Sequence, residues 1–234
     1  MTTTLSLDSV RLPRGTLGEL SLAFPTGVHV LTGPNGLGKT SLLNAIAGSL
    51  PLVSGRIRFD GQPLEHRNAV VVLAPNAPPD MPWIRSGLLL DFIVSLYPRS
   101  RRDANYVDQL KDAFGLGAFL DAPLGTLSAG TARKLLLAAT LAAAPPVLLF
   151  DEPTNDIDAA SIAAFLDFVA ETAAQRVVIM TTHHGGDLGA LSPTVHALQS
   201  RCSDRADYLA GFVRDVCCPS CWARPMRIPS GPRM

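Results

Sequence analysis

With 234 residues, 47% of them apolar and only 6% aromatic, the chain is long enough to bury the sizeable core of one α/β domain. Its 20 basic and 20 acidic residues cancel, so charge marks out no polyanion-binding surface and no nucleic acid is expected as a partner. Met1 to Asp8 lacks the basic start and apolar run of a signal peptide, and the longest apolar stretch, Leu135 to Phe150, is too short for a bilayer and broken by Pro145 and Pro146; a soluble, cytoplasmic chain is expected.

Taken in chain order, Thr4 to Leu12 and Leu20 to Phe24 alternate like strands around a turn region from Pro13 to Gly18. Val28 to Leu31 is a short apolar strand that runs into GPNGLGKT, Gly33 to Thr40, and the helix-like Ser41 to Leu50 follows. This order of strand, loop and helix is what the phosphate-binding pattern G-x-x-x-x-G-K-[ST] requires. Gly33, Gly36 and Gly38 permit backbone angles closed to other residues, so the loop that runs through Gly33, Pro34, Asn35 and Leu37 to Ser41 can wrap its successive N–H groups, Pro34 itself having none, around an anion at the helix's positive end. Lys39 would reach the β- and γ-phosphates of ATP and Thr40 would ligate Mg²⁺. Taken alone, a structural Gly-rich turn is the competing reading.

Gly55 to Phe59 with Asp60-Gly61 reads as a strand reaching a turn, and Ala69 to Leu73 as a buried strand closed by the Pro-rich loop Ala74 to Pro82. From Trp83 to Ala143 the spacing becomes helical, with Tyr106, Leu110 and Phe114 recurring on one face, which makes a mostly helical insert between sheet segments. Within it LSAGTARK, Leu127 to Lys134, opens a helix. Ser128 is placed to cap it, while Ala129 and Gly130 leave its amides open to an anion; by itself this is also an ordinary capped helix. In VLLFDEPTND, Val147 to Asp156, an apolar run ends in two acids, the pattern of a parallel strand buried on both faces whose end projects into the ligand crevice. Asp151 could hold Mg²⁺ there and Glu152 could polarise a water for attack on a γ-phosphate. Phe165 to Val169 reads as a helix, Val177 to Met180 as a buried strand and Thr181 to Asp187 as the polar loop at its end. The fold class is α/β.

From Leu5 to about Gln199 these segments resemble the ATP-binding subunit of an ABC transporter. GPNGLGKT is similar to that family's Walker A, LSAGTARK to its signature motif, VLLFDEP to its Walker B, and TTHH to the strand end that bears its switch histidine; all four stand in the family's order. The resemblance implies a P-loop NTPase core in residues 1–200 with a small N-terminal antiparallel β-subdomain and an inserted α-helical subdomain at about 83–143. It implies ATP and Mg²⁺ as ligands, Glu152 as catalytic base, His183 as the γ-phosphate contact, and Asp158 as the aspartate that communicates between subunits. Asn155 and Asp156 are open to a turn or cap role. Two such subunits, as homodimer or heterodimer, would face head to tail, each Ser128–Gly130 turn closing on the phosphate held by its partner, and would sit on the inner face of the plasma membrane through an integral membrane subunit.

The chain departs from the family at several positions. Asn76 stands where the Q-loop glutamine is expected as an ATP and Mg²⁺ contact; its shorter arm implies slower turnover with binding retained, and a turn-capping role competes with this. The aromatic that stacks on adenine has no counterpart near Arg11 to Arg14. Ala129 and Thr131 replace the commoner glycine and glutamine of the signature. The transporter-coupling surface is expected at Pro75 to Leu90, where Trp83, Ile84 and Leu88 either form an apolar groove or fill the insert's own core. The basic segment 201–234 holds all four cysteines, Cys202, Cys217, Cys218 and Cys221, and is expected to be loosely ordered with reduced thiols rather than a metal site. GPNGLGKTSLL, LSAG and TTH in so short a chain resemble the haem-exporter type used in cytochrome c maturation, and also small drug or peptide exporters. Outside transport, the alternatives are a soluble ABC ATPase and a nucleotide-gated module with weak turnover.

Overall fold

Continuous apolar runs in this sequence become strands buried on both faces, and alternating ones become strands with a wet side. The computed structural model describes residues 3–64, 67–97, 104–182 and 191–200. In the N-terminal sheet β1 (Thr4–Arg11) pairs antiparallel with β2 (Leu20–Pro25) and with β4 (Ser54–Phe59), and β4 turns back into the two-residue β5 (Gln62–Pro63). Asp60 and Gly61, the turn residues, both take positive φ (49° and 78°), as a two-residue hairpin loop demands. Leu5, Leu7 and Phe24 point inward from this sheet and are buried.

The second sheet has the order β6-β7-β8-β3-β9 and is parallel throughout: β3 (Gly27–Thr32), β6 (Val71–Ala74), β7 (Val147–Asp151), β8 (Val177–Thr181) and β9 (Thr194–Ala197). Val30, Val72, Leu148, Phe150, Val178 and Met180 face one apolar cluster. Leu31, Val71, Val147, Leu149, Val177 and Ile179, one position out of phase, face the other. This two-sided burial is why the strands read as unbroken apolar runs. Strand β6 begins at Val71 rather than Ala69, because α2 (Arg67–Val70) forms a helical turn first and only from Val71 does the chain pair with β7.

Helix α1 (Lys39–Ala47) shares one cluster with both sheets, through Leu42, Leu43, Ala45 and Ile46. Each fully buried leucine or isoleucine there contributes about 1.5–3 kcal/mol. The other cluster takes α3 (Ser86–Ser95), α4 (Ala104–Ala113), α5 (Ala129–Ala143) and α6 (Ala159–Ala173). Tyr106, Leu110 and Phe114 do share a face, and Tyr106 stacks edge-on against Phe168 with ring centres 5.6 Å apart. Among the described residues the helical insert shares its core with the sheet: Leu110 and Phe114 belong to the same cluster as Leu148 and Phe150. Because the sheet is parallel, the C-terminal ends of β3, β7 and β8 lie together, and the polar residues that follow them meet at one edge.

Candidate nucleotide site

Beyond β3 the chain turns through Gly33 (φ 150°), Gly36 (φ 75°) and Gly38 (φ 115°) before entering α1. Gly38 is the residue that caps the helix without a side chain, so the first amides of α1 stay open toward whatever lies at its N-terminus. Leu37 is buried under the loop, and the Lys39 ammonium, also buried, donates to the carbonyls of Gly33 (2.6 Å) and Pro34 (3.1 Å). An open cleft of about 450 Å³ is lined by Gly15, Asn35, Gly36, Gly38, Lys39, Thr40, Ser41 and Glu152. Gly15 belongs to the expected turn region; a side chain at this position would meet the Leu37 carbonyl at 2.7 Å.

The end of β7 supplies the acids. Asp151 is buried (3% exposed) and its carboxylate accepts from the Thr40 hydroxyl and, at 2.7 Å, from Thr181 Oγ1 at the end of β8. Thr181 Oγ1 in turn accepts from the Glu152 amide at 2.9 Å. Glu152 has φ 50°, an uncommon left-handed conformation for a residue with a side chain, which turns its carboxyl into the cleft. One carboxyl oxygen accepts from Asn155 Nδ2 at 2.6 Å.

Ser128 caps α5, accepting from the Thr131 amide at 3.1 Å, with both Ser128 and Ala129 exposed. Gly130 lies so close to the Asp156 carbonyl that a Cβ would collide with it. Asp158 caps α6 through the Ser161 amide and hydroxyl, both at 2.9 Å, and pairs with Lys134 at 3.2 Å. These contacts with Ser161, backbone first, and then with Lys134 hold its carboxyl well below the usual carboxylate range. The capping role left open for Asn155 and Asp156 falls to Asp158.

The structure thus brings Gly36, Gly38, Lys39, Thr40, Ser41, Asp151 and Glu152 together, while Asn76 and Ser128 to Gly130 are not among the described residues lining the cleft. The Asn76 amide oxygen accepts from Arg133 at 2.9 Å instead. Arg133, Thr181, Lys134 and Asn155 carry contacts that the sequence reading missed; TTHH and LSAGTARK contain three of them but give no hint of the partners. Of the coupling residues, Trp83 is 74% and Leu88 60% exposed, whereas Ile84 packs against the core. His183 and the cysteines of 201–234 fall outside the described residues. Among the described residues no helix is long and apolar enough to cross a membrane.

A phosphate cradle at a parallel strand end, faced by a buried aspartate and an adjacent glutamate, defines a P-loop nucleotide hydrolase. Residues 17–155 match the ABC transporter family, and the chain belongs to it. It is 35% identical over 172 residues to the cytochrome c biogenesis ATP-binding export protein CcmA of Pseudomonas syringae pv. syringae (strain B728a), covering 71% of this chain and 80% of that protein. It is 29% identical over 178 residues to the zinc transport system ATP-binding protein TroB of Treponema pallidum (strain Nichols), covering 72% and 66%. A solved ATP-binding subunit of an ABC transporter superposes with a TM-score of 0.73 over 83% of this chain and 85% of that one, at 19% identity, which establishes the fold. This is an ATP-binding and ATP-hydrolysing transporter subunit, of the kind that works with a membrane-spanning partner.

Proposed function

We propose that two such subunits close head to tail on ATP, the Ser128–Gly130 turn of each covering the γ-phosphate held by Lys39 and Gly36 of the other. The observation that carries this is the split of the machinery: Glu152 and Lys39 line one cleft, while Ser128 and Ala129 lie exposed outside it, with the open helix end still to be matched to an anion. Thr40 and Asp151 present hard oxygen donors beside the cradle, a set that fits Mg²⁺, which when bound neutralises charge on the phosphate oxygens. Glu152 is the base that takes the proton of the attacking water, and His183 contacts the γ-phosphate.

The membrane partner is a separate chain docked on the cytoplasmic side against the loop from Pro75 and the start of α3. Leu88 and Phe92 on that helix and Leu96 at its C-cap recur every four residues, each more than half exposed, and Trp83 just before the helix is exposed as well. Unpaired apolar stripes of this kind receive a partner helix. CcmA and TroB are named for different transport systems, in keeping with a cargo chosen by the membrane subunit rather than by this chain.

The test is Glu152→Gln with Mg·ATP on a sizing column. Turnover is expected to fall by about 10²-fold or more, with the protein eluting as a dimer only when nucleotide is present. Monomer at saturating nucleotide would overturn the composite site.

A further inference from the structure

We propose that Arg133 is a positioning residue for hydrolysis: its guanidinium ties the Pro75–Asn76 loop to the main chain that carries Glu152, so that the base is held in line only while that loop is in place. The inference rests on Glu152 acting as the base. Arg133 lies on α5 one turn beyond the Ser128 cap and is only 4% exposed. Nη1 donates to the Pro75 carbonyl (2.7 Å), while Nη2 faces three acceptors: Asn76 Oδ1 (2.9 Å), the Asp151 carbonyl (2.7 Å) and the Glu152 carbonyl. Two segments more than seventy positions apart in sequence therefore share one planar group.

The acceptors are what give this contact leverage. Glu152 is in the left-handed region, a strained conformation that persists where its surroundings hold it, and its main chain is gripped on both sides, by Thr181 on the N–H and by Arg133 on the C=O. Lysine could keep the charge but not the fork; a single ammonium cannot reach both loops with fixed directions. Lys134 adds a second tie from the same helix to Asp158, and Gly130 packs directly on the Asp156 carbonyl, but of these three contacts only that of Arg133 also reaches residues 75–76. Asn76, short by one methylene relative to glutamine, is a partner of Arg133.

Arg133→Lys, Asn76→Ala and Glu152→Gln, in the full chain, are compared by steady-state ATP hydrolysis and by binding of a fluorescent ATP analogue (MANT-ATP with Mg²⁺). Arg133→Lys is expected to lower kcat at least about tenfold while KM and the MANT-ATP Kd stay within about threefold, and to add no further loss in the Glu152→Gln background, because both act on one group. Asn76→Ala, at an exposed loop position that cannot unfold the chain, is expected to lower kcat severalfold with binding unchanged. A kcat within about twofold of wild type for Arg133→Lys, a parallel loss of binding, or losses that multiply in the double variant would overturn the proposal alone. Wild-type turnover in Glu152→Gln would instead overturn the base assignment, and this inference with it.

Discussion

The Thr40 hydroxyl donates to both carboxylate oxygens of Asp151, at 3.1 and 2.9 Å, across 111 positions of sequence. The pair joins the first turn of α1 to the end of β7, with Thr181 fixing the same carboxylate from β8. An acid so placed at a helix N-terminus is stabilised by the open amides, yet these amides also need a phosphate, so two negative groups converge on one site. The proposed Mg²⁺ would resolve that conflict. Asp151→Asn keeps the shape and one acceptor oxygen for Thr40 and Thr181 but removes the charge. Its MANT-ATP affinity is expected to match wild type within about twofold in EDTA and to lose at least about tenfold in Mg²⁺. An unchanged gain on adding Mg²⁺ would remove Asp151 from the metal site.

Gly130 is fixed by what it touches in its own chain, since a Cβ would run into the Asp156 carbonyl. Gly130→Ala should therefore destabilise the protein without any nucleotide, by about 1–3 kcal/mol, the range for forced overpacking. The denaturant midpoint reads this. Gly117→Ala, where a Cβ meets nothing within 4 Å, is the control and should shift it little. Equal midpoints for both variants would show that the turn yields freely.

The sheet and the phosphate loop were legible because each is written in local sequence. VLLF and VVIM are apolar on every residue, and only a strand covered on both faces tolerates that over so short a length. Asp60-Gly61 needs positive φ at both positions, and the structure delivers it. What was hidden depends on partners distant in sequence. Arg133 reads as a solvated helix residue until Pro75, Asn76, Asp151 and Glu152 are brought around it, and nothing in ARK says so. Trp83, Ile84 and Leu88 look alike in sequence; Ile84 turns to the core and the other two outward, a choice made by the packing of α3. The start of β6 slipped because Ala69 and Val70 are apolar without having a strand to pair with.

Asp158 contributes one cap to the acid limb of stability. Its folded-state pKa is depressed, so its contribution is fully present above the unfolded value of about 3.9 and is lost as pH falls from there toward the folded value. Asp158→Asn retains a cap but not the charge facing Lys134. The variant should melt below wild type by a constant interval from pH 8 to about pH 5, and the interval should begin to narrow near pH 4 and go on narrowing as the pH falls further. Added salt should narrow it as well, through the exposed Lys134 pair. A gap that persists at low pH would assign the effect to shape rather than charge.

A pair of histidines at the sheet edge predicts a dependence in the near-neutral range. His29 of β3 is buried, with Nε2 2.6 Å from the Pro25 carbonyl and Nδ1 3.2 Å from His196 Nε2 on β9; Phe24 packs edge-on against both rings. If His29 donates its Nε2–H to Pro25, its Nδ1 is the acceptor for the Nε2–H of His196, an arrangement that one added proton on His29 destroys. Burial lowers both pKa values, the Pro25 carbonyl only partly offsetting this for His29 and the His29 charge adding to it for His196. A base whose folded pKa lies below its unfolded one binds fewer protons when folded. Stability is therefore full above the unfolded value of about 6.5, falls as pH drops through it, and levels off below the folded values. His29→Gln keeps a donor for Pro25 and cannot titrate. Between about pH 7.5 and pH 5.5 its denaturant midpoint should decline less than that of wild type, with His196 left to supply the remaining slope. Parallel curves for the two proteins would mean that the proton enters elsewhere.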